Sequence, residues 1–288
     1  MTGKSSTIQR IKNKMTDDLS GLYDKNEAKN IASLLIEYVC KLDKTRQIAE
    51  VAYVPGDEEL NEINRLFRKL MSGMPIQYVL GETEFYGRKF MVSPTVLIPR
   101  PETEEVVEVA INKCSNKSKP KILDIGTGSG IIAVTLAAEL NEAEVFASDI
   151  SDDILSIAKR NASLHHVQLS FICHNIREQP DNLPGNLDCI VSNPPYVTEK
   201  EKKHMHQNVL NYEPPEALFV PDNDPVQFYR QIARIAKQKL SPGGMVVCEI
   251  NEAFATESVK CFADVNFSNL FVYDDINKKN RILTAIKP

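Results

Sequence analysis

The chain has 288 residues, 42% of them hydrophobic and 25% charged, with a formal net charge of −5. That length accommodates two domains and a substantial core, and the composition excludes an intrinsically disordered chain. No apolar stretch reaches the ~18 residues a membrane span needs, and the first 85 residues hold 12 Lys+Arg against 13 Asp+Glu, so no basic domain announces a phosphate backbone as partner.

Met1 to Met15 lacks the apolar core of a secretory signal. Its Lys4, Arg10, Lys12 and Lys14, with no acid before Asp17, read as a solvated helix start, the alternative being an organellar transit segment. Gly3 stands one position late for myristoylation. Two amphipathic helices follow. In the first, Ala28, Ile31, Leu35, Tyr38, Val39 and Leu42 recur at helical spacing behind a possible Asp24/Glu27 capping box. The second carries Leu60, Ile63, Leu66, Phe67 and Leu70, opened by Asp57 and closed by Gly73. Such stripes form the core of a small bundle. Phe85-Tyr-Gly-Arg-Lys-Phe-Met-Val92 reads as a hairpin turning at Gly87.

From Pro101 onward helix and strand signals alternate, the pattern of a parallel sheet covered on both faces. A helix starts at Pro101, with Val106, Val107 and Ala110 facing inward. Lys121-Ile-Leu-Asp-Ile125 is a buried strand, followed by Gly126-Thr127-Gly128-Ser129-Gly130 and an apolar helix from Ile131. A dinucleotide fingerprint would want its third glycine at Ile131, and no Lys-Ser/Thr pair follows for a P-loop, so pyrophosphate and triphosphate ligands are disfavoured. A second strand runs from Ala143 to Ser148 and ends at Asp149, whose carboxylate can take both ribose hydroxyls of an adenosine. A helix from Asp152 to Leu164 comes next, then a strand at Phe171-Ile172.

The apolar run Leu187-Asp-Cys-Ile-Val-Ser192 ends in Asn193-Pro194-Pro195-Tyr196. This tetrad suits one chemical problem, transfer of a methyl group onto a planar NH₂ whose lone pair is conjugated. Such a nitrogen is a poor nucleophile, so a protein must hold its hydrogens on fixed acceptors and aim its π face at the electrophile. The Asn193 side-chain carbonyl and the Pro194 main-chain carbonyl are acceptors of that kind. The two prolines stiffen the loop and add no competing N–H, and Tyr196 offers a flat face for stacking. Taken alone, Asn-Pro-Pro could equally be a turn ending a strand. Ligands of open α/β sheets sit beyond the carboxyl ends of the strands, so the tetrad and the glycine loop share an edge. An adenosine-bearing methyl donor beside an NH₂-orienting loop points to an S-adenosylmethionine-dependent N-methyltransferase.

Residues 197–221 form a long connection carrying Lys200, Lys202, Lys203, His204 and His206. It is either a lid or acceptor-binding loop or a solvated insertion. Pro225 begins a helix through Leu240, Ser241-Pro-Gly-Gly244 turns into a strand from Met245 to Ile250, and 269–273 with 281–286 make a closing hairpin. The six cysteines at 40, 114, 173, 189, 248 and 261 show no C-x-x-C. Their scatter indicates a reducing cytoplasm and no zinc site, and neither His165-His166 nor His204-x-His206 has a convincing third ligand.

Gln77-Tyr-Val-Leu-Gly-Glu82, Phe85-Tyr86, Val92-Ser-Pro94, Leu97-Ile-Pro-Arg-Pro-Glu-Thr103, Leu123-Asp-Ile-Gly-Thr-Gly-Ser-Gly130, Ser192-Asn-Pro-Pro-Tyr196, Tyr212-Glu-Pro214 with Ala217-Leu218, and Asp275-Ile-Asn-Lys-Lys-Asn-Arg281 stand in an order that resembles the HemK/PrmC family, the peptide chain release factor glutamine methyltransferases. The tetrad is shared with adenine N6-methyltransferases, whereas the Ile-Pro-Arg-Pro-Glu-Thr stretch beside a helical N-terminal domain is far more specific. The resemblance implies a class I methyltransferase fold, an α/β domain with a mostly parallel, doubly wound seven-stranded sheet whose last strand is antiparallel, preceded by a small all-α domain. The boundaries expected are 1–80 for the helical substrate-recognition domain, 81–100 for a hairpin linker and 101–288 for the catalytic domain.

The implied donor is S-adenosylmethionine, leaving S-adenosylhomocysteine, with no metal. It would be held by Gly126, Thr127, Gly128, Ser129, Gly130, Asp149, Asn175, Ile176 and Asn193. Ile176 replaces the family's usual large side chain there, which weakens stacking on the adenine. Asn193, Pro194, Pro195 and Tyr196 would bind the acceptor, with Asn193, Pro194 and Tyr196 catalytic. The implied acceptor is the Gly-Gly-Gln glutamine of class-I release factors, on a cytoplasmic and monomeric enzyme without sequence-specific nucleic acid or membrane partners. Rivals are glutamine methylation of a ribosomal protein, adenine N6 methylation and a non-catalytic adaptor.

Overall fold

A computed structural model describes residues 6–288, so the Gly3 and Lys4 readings lie outside it. The described chain divides into two compact units, one comprising residues up to Glu82 together with His206–Tyr212, the other Thr83–Met205 with Glu213–Pro288.

The first unit is helical. It contains α1 (Ile8–Leu19), α2 (Lys25–Cys40), α3 (Lys44–Ala49), α4 (Asp57–Met71) and α5 (Ile76–Leu80). The basic N-terminal stretch is not simply solvated. In α1, Ile8, Ile11, Met15 and Leu19 recur every three to four residues and bury one stripe against Ala28, Ile31, Leu35 and Ile36 of α2 and Ile63, Leu66, Phe67 and Leu70 of α4. Asp24 caps α2 by accepting from the backbone N–H groups of Asn26 and Glu27. At α4 the cap is Gly56 rather than Asp57, and Glu59 reaches back to the Gly56 N–H at 2.8 Å. Residues 206–212, expected as part of the catalytic domain's long connection, sit in this unit. There Tyr212 donates its hydroxyl to the Ser72 carbonyl oxygen at 2.7 Å.

The second unit opens with the hairpin β1 (Glu82–Phe85) and β2 (Arg88–Met91), turning at Tyr86-Gly87. There follow α6 (Glu102–Cys114), β3 (Lys121–Ile125), α7 (Ile131–Glu139), β4 (Glu144–Asp149), α8 (Asp152–Leu164), β5 (Ser170–Cys173) and β6 (Leu187–Ser192). After the short strands β7 (Val197–Thr198) and β8 (Phe219–Val220), separated in sequence by α9 (Gln207–Tyr212) of the first unit, come α10 (Gln227–Lys239), β9 (Leu240–Glu249), α11 (Ala255–Ala263), β10 (Ser268–Asp274) and β11 (Asn280–Ile286). The main sheet has seven strands in the order β10-β11-β9-β6-β3-β4-β5, with β11 antiparallel to both neighbours. Strand residues alternate between the two faces. Ile122, Val145 and Val191 pack with α6 and α7, whereas Leu123, Ile190 and Val246 pack with α10 and α11.

Two boundaries differ from the sequence reading. The helix after Pro225 begins at Gln227, and the strand expected from Met245 already begins at Leu240. Ser241 to Gly244 are drawn into the sheet because Gly243 N–H donates to the Lys287 carbonyl and Lys287 N–H to the Gly244 carbonyl, both at 2.8 Å. A Cβ on Gly244 would stand 2.9 Å from the Leu187 carbonyl oxygen, so the chain closes there only without a side chain. The connection expected as a lid or a solvated insertion is ordered in its second-unit portions. β7 pairs with β8 in parallel, and the nearly fully buried Glu213 carboxylate accepts from the Ile98 N–H at 3.1 Å and from Arg100 at 2.7 Å.

Two buried polar residues brace the turn after β3. Asn161 of α8 donates Nδ2 to the Ser129 carbonyl at 2.7 Å and the Met91 carbonyl at 2.9 Å, and its Oδ1 accepts from the Met91 N–H at 2.7 Å. Asp124 accepts through Oδ2 from the Thr127 hydroxyl at 2.7 Å and the Ala133 N–H at 3.2 Å, while its buried Oδ1 has no partner. Burial pushes the Asp124 carboxyl from an ordinary 3.8 up to about 7, against the pull of those two bonds and with a smaller push from Asp149.

Asn161→Ala strands two carbonyls and an N–H, and should lower unfolding stability by about 3 kcal/mol, read as a reduced urea midpoint. For Asp124, the folded chain retains a proton that the unfolded chain releases between pH 3.8 and about 7. Its contribution is therefore complete at the acid end and lost as pH rises through that window. Urea midpoints from pH 4.5 to 8 should show Asp124→Asn gaining on the parent protein as pH rises, with the difference flat above pH 7.5 or so.

Candidate active site

The hydrogen-bond register of the sheet assembles the site. Ser192 of β6 stands opposite Ile125 of β3, Ile125 opposite Ser148 of β4, and Ser192 also opposite Cys248 of β9. The residues that follow, Asn193, Gly126, Asp149 and Glu249, therefore leave four adjacent parallel strands at one edge, with roughly 4.8 Å between neighbours. Ser192 Oγ also donates to the Ile125 carbonyl at 2.7 Å, locking the two central strands where the glycine turn and the tetrad begin.

In the glycine turn, Gly126 and Thr127 N–H groups donate to the Ser148 carbonyl at 2.9 and 3.0 Å, and Gly126, Gly128 and Gly130 all have positive φ. At Gly130 a Cβ would meet Ala158 Cβ at 3.0 Å, so α7 and α8 approach closely only at a glycine. Cβ atoms on Gly126 and Gly128 would meet nothing within 4 Å, which leaves open space beside the backbone there. The side chains of Thr127 and Ser129 are buried, so these two residues offer a ligand their backbone. Asp149 Oδ2 accepts from the Gly128 N–H at 2.9 Å and Oδ1 from the Ile150 N–H at 2.8 Å. Burial raises the Asp149 carboxyl and these two N–H groups hold it down. One bond per oxygen leaves lone pairs for a ribose diol. A glycine cradle and a carboxylate thus fit the adenosine end of S-adenosylmethionine.

Beyond β5 the two expected adenine contacts differ in kind. Asn175 Oδ1 is engaged by the Arg177 N–H at 3.1 Å, and Nδ2 remains available as a donor. The half-buried Ile176 packs on the core between the sheet and α10.

The tetrad is anchored from behind. Asn193 Nδ2 donates to the Thr103 hydroxyl oxygen at 3.0 Å. Thr103 in turn donates to Glu249 Oε2 at 2.7 Å, and the Tyr196 hydroxyl donates to Glu249 Oε1 at 2.8 Å. Burial raises the Glu249 carboxyl, while both hydroxyls and the Arg281 guanidinium pull it back. Arg281 is itself held by Asp275 at 3.2 Å and the Ile250 carbonyl. Burial and the nearby Glu249 keep the Tyr196 phenol far above its ordinary range, so it is a neutral donor. Its main-chain carbonyl accepts from Asn251 at 3.1 Å. Pro194 is buried and Asn193 and Pro195 are half-buried. Among the described residues no donor bonds Asn193 Oδ1 or the Pro194 carbonyl oxygen. The arrangement therefore presents two acceptors at the sheet edge.

Sequence reasoning missed the bonds made by Asp124, Glu249 and Thr103. A signal existed for the two acids, since each interrupts an apolar strand run, and unpaired carboxylates are rarely buried. The histidines did not converge. His165 bonds the Lys89 carbonyl at 2.7 Å, and His204 and His206 are exposed. Among the described residues no group of His, Cys, Asp and Glu is placed to hold a metal ion, and no helix is long and apolar enough to cross a membrane.

Known proteins place this architecture. The family model described as Methyltransferase small domain matches residues 105–218, and that described as PrmC N-terminal domain matches residues 14–81. The chain is 40% identical to the release factor glutamine methyltransferase of Flavobacterium psychrophilum, over 96% of this chain and 98% of the relative. It is 39% identical to that of Bacteroides thetaiotaomicron, over 96% and 99%. Among solved structures, a methyltransferase from Pyrococcus furiosus superposes with a TM-score of 0.51 at 15% identity, over 81% of this chain and 99% of the other, a likeness of fold alone. The catalytic fold is that of class I S-adenosylmethionine-dependent methyltransferases, and the chain belongs to the release factor glutamine methyltransferase family.

Proposed function

We propose that this chain methylates the side-chain amide nitrogen of the glutamine in the Gly-Gly-Gln motif of class-I peptide chain release factors, as a monomer in the cytoplasm. S-adenosylmethionine supplies the electrophilic methyl group. Gly126 through Gly130 cradle it by backbone contact, Asp149 takes the ribose hydroxyls, and Asn175 and Ile176 flank the adenine. The observation that carries the reading is the side-by-side exit of Gly126 and Asn193 from β3 and β6, with the Asn193 amide tethered through its nitrogen.

An amide NH₂ has two hydrogens in its plane and a conjugated lone pair across it. Asn193 Oδ1 and the Pro194 carbonyl accept those hydrogens, which turns the nitrogen's π face toward the methyl carbon and supports the positive charge that builds on nitrogen. Pro195 keeps the loop stiff, and Tyr196, pinned through its hydroxyl, offers its ring to the acceptor's planar group. The N-methylated amide carries one proton too many and is strongly acidic, so water removes it and no side chain need act as base. Support for the acceptor comes from the relatives named release factor glutamine methyltransferase that align over nearly the whole chain.

Incubating the protein with labelled donor and a release factor, a ribosomal protein or DNA, then locating the label by mass spectrometry, tests the acceptor. Label on the Gly-Gly-Gln glutamine is expected, and label confined to ribosomal protein or adenine would contradict the reading. Asn193→Ala should reduce turnover on the order of 100-fold with donor affinity little changed. Asp149→Ala should instead weaken donor binding by calorimetry, roughly tenfold or more for the loss of a charge-assisted hydrogen-bond acceptor.

A further inference from the structure

Thr103 closes the Leu97-Ile-Pro-Arg-Pro-Glu-Thr103 stretch, and neither the donor cradle nor the acceptor tetrad accounts for it. It is fully buried at the start of α6, and its hydroxyl stands between Asn193 and Glu249. An asparagine side chain has an accepting end and a donating end of almost the same shape. Only the oxygen can receive a hydrogen from an acceptor NH₂, and nothing in Asn193 itself decides which end faces outward.

The chain of bonds behind it does decide. Glu249 receives one hydroxyl on each oxygen, Thr103 at 2.7 Å and Tyr196 at 2.8 Å. A carboxylate has no hydrogen to return, so the single hydrogen of Thr103 is committed to it. The Thr103 oxygen is then left as an acceptor, and it takes the Asn193 Nδ2 group at 3.0 Å. With Nδ2 held inward, Oδ1 faces the acceptor. Were the Thr103 hydroxyl to point the other way, it would donate to Oδ1 and turn an NH₂ group toward the substrate's NH₂, two donors face to face.

We propose that Thr103 and Glu249 are positioning residues that set the direction of the Asn193 amide and so determine that an acceptor, rather than a donor, meets the reacting nitrogen. The inference rests on the methyl-transfer reading above. Tyr196 shares the same carboxylate, so the placement of the tetrad loop and the direction of the amide have one origin.

The test compares the full-length parent with Thr103→Val, which removes the hydroxyl at nearly constant shape, Thr103→Ser, which restores it, and Glu249→Gln, which introduces a donor. Steady-state kinetics on release factor are combined with calorimetric titration of S-adenosylmethionine. Thr103→Val and Glu249→Gln should each lower kcat roughly 10- to 100-fold, as misorientation of a positioning group does. They should leave the donor Kd within about twofold, Thr103→Ser should retain most of kcat, and the Val/Gln double variant should be no worse than the poorer single. A Thr103→Val enzyme with parental kcat, a serine variant as impaired as valine, or a donor affinity that falls in step with kcat would overturn the proposal. Should the valine variant fail to fold, Glu249→Gln carries the same kcat-against-Kd test. A parent protein that leaves release factor glutamine unmodified would defeat the functional reading, and this inference with it. An active parent with an unimpaired Thr103→Val variant would defeat the wiring alone.

Discussion

Neighbouring strands of a parallel sheet release their chains side by side only when register is held, and here register is what makes a site. Ser192, Ile125, Ser148 and Cys248 occupy one row of β6, β3, β4 and β9. A one-residue slip in any of them would turn its side chains to the opposite face. Apolar alternation against two helical layers opposes such a slip, because Ile122 and Leu123, like Ile190 and Val191, belong to different cores. The Ser192 hydroxyl on the Ile125 carbonyl adds a bond at the point where the two functional loops diverge. The glycine turn and the tetrad, proposed to hold methyl donor and acceptor, are thus brought together by the backbone, and the side chains refine what the backbone has arranged.

The refinement comes from buried acids. Asp124 holds the glycine turn through Thr127 and the start of α7 through Ala133. Glu249 holds the tetrad through Thr103 and Tyr196. Each loses hydration on burial and recovers part of it from hydrogen bonds, which is why both carboxyls are raised. Both bond protein groups behind the loops proposed to hold the substrates. A buried carboxylate is weak evidence of stabilisation, and the bonds these two make run to the glycine turn and to the tetrad loop.

Local features were legible in the sequence. Lys121–Ile125, Asp152–Leu164 and Leu187–Ser192 have the bounds that periodicity and turn residues indicate, because each is a short apolar or amphipathic run marked at one end by Gly126, Ser151 or Asn193-Pro194. The Leu240 start of β9 was not legible, since Pro-Gly-Gly is turn chemistry and only pairing with Lys287 extends the strand through it. Helix 207–212 was hidden for a similar reason. Its polar segment has little apolar period, and it is held by Tyr212 on Ser72, 140 positions away. Thr103 and Glu249 are 146 positions apart and meet only when α6 lies beside β9. Motif spacing marked Asn193 as a candidate, whereas the direction of its amide is a property of the assembled network.

Methyl transfer at this sheet edge, as proposed, turns on one nitrogen and two oxygens. A crystal structure of the protein with S-adenosylhomocysteine and a peptide containing Gly-Gly-Gln tests it most directly. The glutamine Nε2 should lie about 3 Å from both Asn193 Oδ1 and the Pro194 carbonyl oxygen, with its π face toward the sulfur and Asn193 Nδ2 still on Thr103. A glutamine bound elsewhere, or one whose amide nitrogen meets Asn193 Nδ2, would contradict it.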